Sequence, residues 1–138
     1  MRMLSWLALP LVCACLLAGC ATAKKDDGLR ARIWHYAAAV RWNEFEKATT
    51  FIDPAVLAEK PFDEAAAARW GQVQVARYVE SAQTVDAEGR VLQTVQIEII
   101  DRATQSVRNI VDRQRWRFDP VEQQWWLESG LPDLDSAK

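Results

Sequence analysis

The chain has 138 residues with 17 basic and 19 acidic side chains, for a net charge of −2. A domain of this size buries roughly two-thirds of its unfolded surface, so one core is expected. Charges of both signs are mixed along the chain with no dense basic stretch, which argues against nucleic acid as a partner.

Met1-Arg2-Met3 opens the chain, and an apolar run follows from Leu4 to Leu17, broken by Ser5 and Pro10. A positive start, a short apolar core and a small-residue end read as a signal peptide over residues 1–19. The run falls short of the roughly 20 residues a span requires, and Pro10 is expected to interrupt a continuous helix. The run ends in Leu17-Ala18-Gly19-Cys20, which resembles the bacterial lipobox: a leucine, two small residues and a cysteine. The resemblance implies that the Cys20 thiol takes a diacylglycerol, that the chain is cut before it, and that the new amino group is often acylated. Such chains contribute on the order of 0.8 kcal/mol per buried CH₂, so two or three hold firmly. The membrane is then reached through the N-terminal lipid. Ala21 stands where, by the same resemblance, an aspartate tends to retain a lipoprotein at the inner membrane. The expected location is the outer membrane, facing the periplasm.

All three cysteines, Cys13, Cys15 and Cys20, fall in or at the end of this leader. The chain beyond Cys20 therefore contains no disulfide and no thiol nucleophile. With His35 as the single histidine, a zinc site is not expected, and neither is a cofactor.

Residues 20–28 are small, charged and aperiodic and read as a lipidated tether. A single domain is expected over 29–130, with a flexible tail at 131–138. Leu29, Ile33, Tyr36, Ala37 and Val40 form one helical stripe over Leu29–Arg41, with Trp34 and Trp42 off it or beside it. A second helix is expected from Asn43 to Ile52, with Asn43 as its cap and Glu46 completing a capping box, and Asp53-Pro54 stops it. Pro54–Ala58 suits a helical turn. Pro61–Trp70, with four successive alanines from Ala65 to Ala68, suits another helix ended by Gly71.

From Val73 the period changes to two. Val73, Val75 and Val79 mark a strand, Asp86-Ala87-Glu88-Gly89 a turn, and Arg90–Asp101 the clearest strand, with Val91, Val95, Ile97 and Ile99 on one face. Val107–Phe118 is a third strand, in which the adjacent Ile110 and Val111 suggest a bulge or burial on both faces. Asp119-Pro120 turns the chain into a fourth, Gln124–Glu128. Helices before a meander of about four antiparallel strands make an α+β domain, with the helices packed on a curved sheet.

Two segments in this order resemble nuclear transport factor 2-like domains, the cystatin-like cones. Arg41-Trp42-Asn43-Glu44-Phe45-Glu46-Lys47-Ala48 is similar to their opening helix pair. Gln114-Arg115-Trp116-Arg117, a turn, then Trp125-Trp126-Leu127 is similar to their closing hairpin. The resemblance implies a cone in which a curved sheet wraps a long helix and leaves room for a pocket. Some such domains are isomerases or dehydratases and many are binding or dimerising modules, so the fold does not choose a function.

No catalytic set stands out. His35 lies on a helix flank between Trp34 and Tyr36, and Tyr78 and Asp112 either line the cone or, for Asp112 and Asp101, face solvent. Arg113, Arg115 and Arg117 share a strand face, where Asp112, Glu122 and Glu128 are available to neutralise them. Trp125 and Trp126 point to opposite faces of a regular strand. An exposed tryptophan beside these arginines suits a protein interface, which makes Arg113, Arg115, Arg117, Trp125 and Trp126 the candidate contact surface. The expected function is a non-enzymatic envelope lipoprotein that docks an envelope protein or a second copy through its sheet. The alternative is a small-molecule binder, isomerase-like at most, whose pocket is lined by Tyr78, Gln114 and Trp116.

Overall fold

The computed structural model describes residues 8–136, with side chains from Gly19 to Ser136. The segment before residue 8, where the signal peptide is expected to begin, and the last two residues of the expected tail lie outside the described residues. The first element is a 34-residue helix, α1, Ala8–Arg41. It runs without a break through residues 20–28, where a tether was expected. Pro10 is its third residue, in the turn whose N–H groups have no intrahelical acceptor, so the proline does not interrupt it. No described helix is long and apolar enough to cross a membrane.

The end of α1 departs from the capping expectation. Asn43 has φ 59°, the left-handed conformation that asparagine tolerates better than most residues. Asn43 N–H donates to Val40 O at 3.1 Å and Glu44 N–H to Ala39 O at 2.8 Å, the two-bond closure that ends many helices. Glu44, not Asn43, precedes α2 (Phe45–Thr49). The Asn43 amide is engaged elsewhere: Nδ2 donates to Val73 O at 2.9 Å and Oδ1 accepts from Val75 N at 3.0 Å. It fastens the α1–α2 corner to the first strand.

Two short helices follow, α3 (Pro54–Glu59) and α4 (Glu64–Gly71). Each is started by an aspartate: Asp53 Oδ1 accepts from Ala55 N at 3.0 Å and Asp63 Oδ1 from Ala66 N at 2.9 Å. The strands are β1 (Val73–Glu80), β2 (Thr84–Val85), β3 (Val91–Asp101), β4 (Val107–Asp119) and β5 (Gln124–Leu127). They form one antiparallel sheet in the order β1-β3-β4-β5, with β2 extending the β1 edge along β3. The sheet curls into a half-barrel around α1, a cone-like α+β fold.

Of the two alternatives for Ile110 and Val111, a bulge or burial on both faces, the bulge is absent, and β3 and β4 pair in unbroken register from Val91↔Trp116 to Ile100↔Val107. Ile110 points inward and is fully buried, while Val111 points outward and is half-buried. The irregularity lies in β1, between Val75 and Arg77, where it brings Tyr78 to the inner face opposite Ile97.

The core fills the space between the α1 stripe (Leu29, Ile33, Tyr36, Ala37, Val40) and the inner face of the sheet, including Val95, Ile97, Ile99, Ile110, Trp116 and Leu127. Tyr36 meets Trp116 edge to face at 5.7 Å and Phe51 at 6.0 Å. The segment after β5 is not loose along its described length. Leu134 is buried, its carbonyl accepts from Arg108 Nη1 at 2.6 Å, and Ser136 Oγ donates to Val111 O at 3.4 Å. It runs beside the part of β4 that β5 leaves unpaired, covering an open sheet edge.

Candidate functional site

Strand alternation gives β4 two chemically distinct faces. Ile110, Asp112, Gln114 and Trp116 point inward and are buried, while Val111, Arg113, Arg115 and Arg117 point outward.

Inside, Gln114 is the hub of a small polar network. Its Nε2 donates to Tyr78 Oη at 2.8 Å and to Asp112 Oδ2 at 2.9 Å, and its Oε1 accepts from Trp116 Nε1 at 3.3 Å. The guanidinium of Arg41 caps the outer side of the Tyr78 ring, 4.8 Å from its centroid. Burial pushes the Asp112 carboxyl up to about 6, against the opposing effect of the Gln114 bond. Burial likewise raises both tyrosine hydroxyls, Tyr36 and Tyr78, and the nearby Asp112 charge adds to this. Tyr36 Oη has no hydrogen-bond partner among the described residues.

The three residues expected to line a pocket, Tyr78, Gln114 and Trp116, are therefore packed together and bonded to one another directly or through Gln114. None of them lines the three cavities described next. The first, about 140 Å³, lies between α3, α4 and the C-terminal segment, walled by Ile52, Val56, Phe62, Trp70 and Leu134. The second is an open groove of about 570 Å³ beside Phe45, Trp70 and Arg102. The third, about 740 Å³, lies between the first turns of α1 after Cys20 and the β4–β5 turn, with Lys25, His35, Phe118 and Trp125 in its walls. Among the described residues no group of three or more His, Cys, Asp or Glu is placed to hold a metal ion.

Outside, the three arginines differ. Arg117 Nη2 donates to Asp53 Oδ2 at 2.6 Å, with Asp119 at 3.5 Å and Glu128 at 3.4 Å, and Asp53 first, then Asp119, hold its guanidinium above the usual arginine range. Arg115 Nε donates to Glu128 Oε2 at 2.9 Å. Arg113, exposed in mid-strand, forms no ion pair among the described residues and faces Thr94 across the ladder. Of the acidic groups expected to neutralise this row, Glu128 does so, whereas Asp112 faces inward and Glu122 accepts from Gln124.

The tryptophan pair divides as alternation requires, but neither ring stands free. Trp125 is buried, with Nε1 donating to Lys25 O at 3.0 Å and Lys25 Nζ 5.2 Å from the ring, and so it leaves the candidate contact surface. Trp126 is half-buried, with the Arg32 guanidinium 5.3 Å from its ring. Among the described residues the exposed tryptophans are Trp34, 64 % exposed, and Trp42, 78 % exposed, at the flank and the end of α1. Their position off the apolar stripe was the sequence signal for this.

Cys20 lies exposed on α1. No family profile, curated protein or solved structure matches the chain.

Proposed function

We propose that the chain is a bacterial envelope lipoprotein, held to the outer membrane through acyl chains on Cys20 and facing the periplasm, that acts as a non-enzymatic docking module through the outer face of its sheet. The carrying observation is the contrast across β4. Tyr78, Asp112, Gln114 and Trp116 are spent on one another and line none of the three cavities described above. The outward face is roofed by no described helix and displays Arg77, Val79, Thr94, Gln96 and Arg113 exposed together across three paired strands. Its excess of arginine suits an envelope protein with an acidic contact surface, and Arg with exposed apolar neighbours is a common composition for such contacts. The anchoring half of the reading is supported by the Leu17-Ala18-Gly19-Cys20 run and by the accessibility of Cys20.

Two measurements test the two halves. Cys20→Ser is expected to abolish incorporation of labelled fatty acid and to release the protein from membranes; unchanged maturation and fractionation overturn the anchor. A photo-crosslinker placed at Thr94 is expected to yield a discrete protein adduct in cells that Arg113→Glu removes. No adduct, or one indifferent to Arg113→Glu, overturns the docking face.

A further inference from the structure

We propose that α1 lies flat on the bilayer that holds Cys20, with Trp34 and Trp42 set into the lipid interface and the sheet carried on the far side of the helix. The proposal rests on the lipidation of Cys20 and adds an orientation to it.

The geometry of a helix places these residues. At about 100° per residue, Cys20, Lys24, Trp34, Arg41 and Trp42 fall within one sector of roughly 100° around α1. Leu29, Ile33, Tyr36 and Val40, all buried against the sheet, fall on the opposite side. The side on which the acyl chains leave the helix is thus the side on which the two exposed tryptophans stand. At 1.5 Å per residue, Trp34 lies about 21 Å and Trp42 about 33 Å along the axis from Cys20. A helix standing on its lipid would lift Trp42 about 30 Å into water, by the same rise, whereas a helix lying down places all three side chains in one plane.

The chemistry of that plane is interfacial. Trp34 keeps most of its surface in solvent with only an edge contact to His35 at 4.9 Å, and Trp42 is more exposed still. Indole rings favour the headgroup level, where the ring is shielded and the N–H stays hydrated. Lys24 and Asp27 also fall within the sector, and Arg41 lies at its edge with its guanidinium turned to the Tyr78 ring. Arg30 flanks it in a loose, exposed pair with Asp27 at 3.5 Å. The stripe is therefore tryptophan-bearing with charges of both signs, and the two indoles rather than a net charge suit it to the plane of the interface. The bilayer is the occupant rather than a protein because an acyl chain on Cys20 holds it within reach at high effective concentration. In this pose the outer sheet face points away from the membrane, toward the compartment in which a docking partner is met.

The test uses the full acylated protein reconstituted in vesicles of phosphatidylcholine and phosphatidylglycerol, with bromine atoms placed on the lipid chains near the headgroups. The expected result is quenching of tryptophan emission in the wild type and loss of most of that quenching in the Trp34→Ala/Trp42→Ala variant, with both proteins floating with the vesicles. Both rings are exposed, so the variant keeps its core. Equal quenching in the two proteins, or none in either, while both still float, overturns the flat pose and leaves the lipid anchor standing. A protein that carries no acyl chain and does not float overturns the anchor and the pose together.

Discussion

The two faces of β4 are built from the same thirteen residues of backbone and both carry polar groups, yet they treat those groups in opposite ways. On the inner face a carboxylic acid, a phenol and an indole converge on the Gln114 amide, and the apolar core closes over them. On the outer face the charges are spread along the strand, and their pairing weakens from Arg117 to Arg113. A buried polar group without a partner costs about 1–3 kcal/mol, so the interior favours groups that bond one another. Solvent removes that constraint outside, where a group is free to stay unpaired and available. The inner polar residues thus belong to the fold, and the outer ones are the part able to serve contacts.

The largest effect that separates the faces is expected at Trp116, fully buried between Tyr36 and Gln114. Trp116→Ala removes a large apolar volume and leaves Gln114 Oε1 without its donor, for a loss of about 3–5 kcal/mol. Denaturant unfolding followed by far-UV circular dichroism measures it. A loss under about 1 kcal/mol, well below the usual cost of truncating a buried tryptophan, contradicts a closed interior and reopens the cone as a pocket.

The next effect has the opposite sign. Asp112 titrates at about 6 in the fold against roughly 3.9 in an unfolded chain. Below about pH 4 the carboxyl is neutral in both states and costs nothing. As pH rises from the unfolded value toward and past the folded one, the fold must hold a buried charge that the unfolded chain solvates, so stability is lost across that window. Asp112→Asn keeps an acceptor for Gln114. It is expected to raise stability by on the order of 2 kcal/mol at about pH 7 and by little at about pH 4. The unfolding midpoint at the two pH values reports the difference. A variant that is destabilised equally at both assigns Asp112 a structural charge and breaks the account of the inner face.

How far this division was legible in the sequence depends on what sets each feature. The α1 stripe and the β3 alternation follow from local period alone, and both segments take the expected form, although α1 begins at Ala8 and takes in the expected tether. Asp112 shares the period of Ile110 and Trp116, a signal for the inside, but its charge also suits solvent. Only the positions of Gln114, Tyr78 and Tyr36 decide between the two. Asn43 reads as a helix start because the side chain suits a cap; its partners lie 30 and 32 residues away on β1, beyond any local pattern. The C-terminal segment has the composition of a loose end, yet Arg108 and the open edge of β4 hold it down. Alternation separates Trp125 from Trp126 but does not say which ring the first turns of α1 after Cys20 will cover.

The smallest effects lie along the outer row, where they test whether availability rather than charge distinguishes the three arginines. They share spacing, strand and residue type, so a face that acts only by bulk positive charge predicts equal responses to substitution. The contacts predict a gradient. Arg117 joins Asp53 beside the start of α3 to Glu128 at the end of the sheet while one-third exposed, so Arg117→Ala is expected to cost about 1 kcal/mol, reduced in high salt. Arg115→Ala, which gives up a more exposed pair, is expected to cost less. Arg113→Ala touches no ion pair among the described residues and is expected to stay within about 0.5 kcal/mol of the wild type. Binding to a partner is expected to run the other way, because a guanidinium already held by Asp53 must break that pair before it serves another carboxylate. Stability that falls in the order Arg117, Arg115, Arg113, together with partner capture most sensitive to Arg113, confirms the gradient. Equal sensitivity of capture to all three returns the face to a nonspecific positive field.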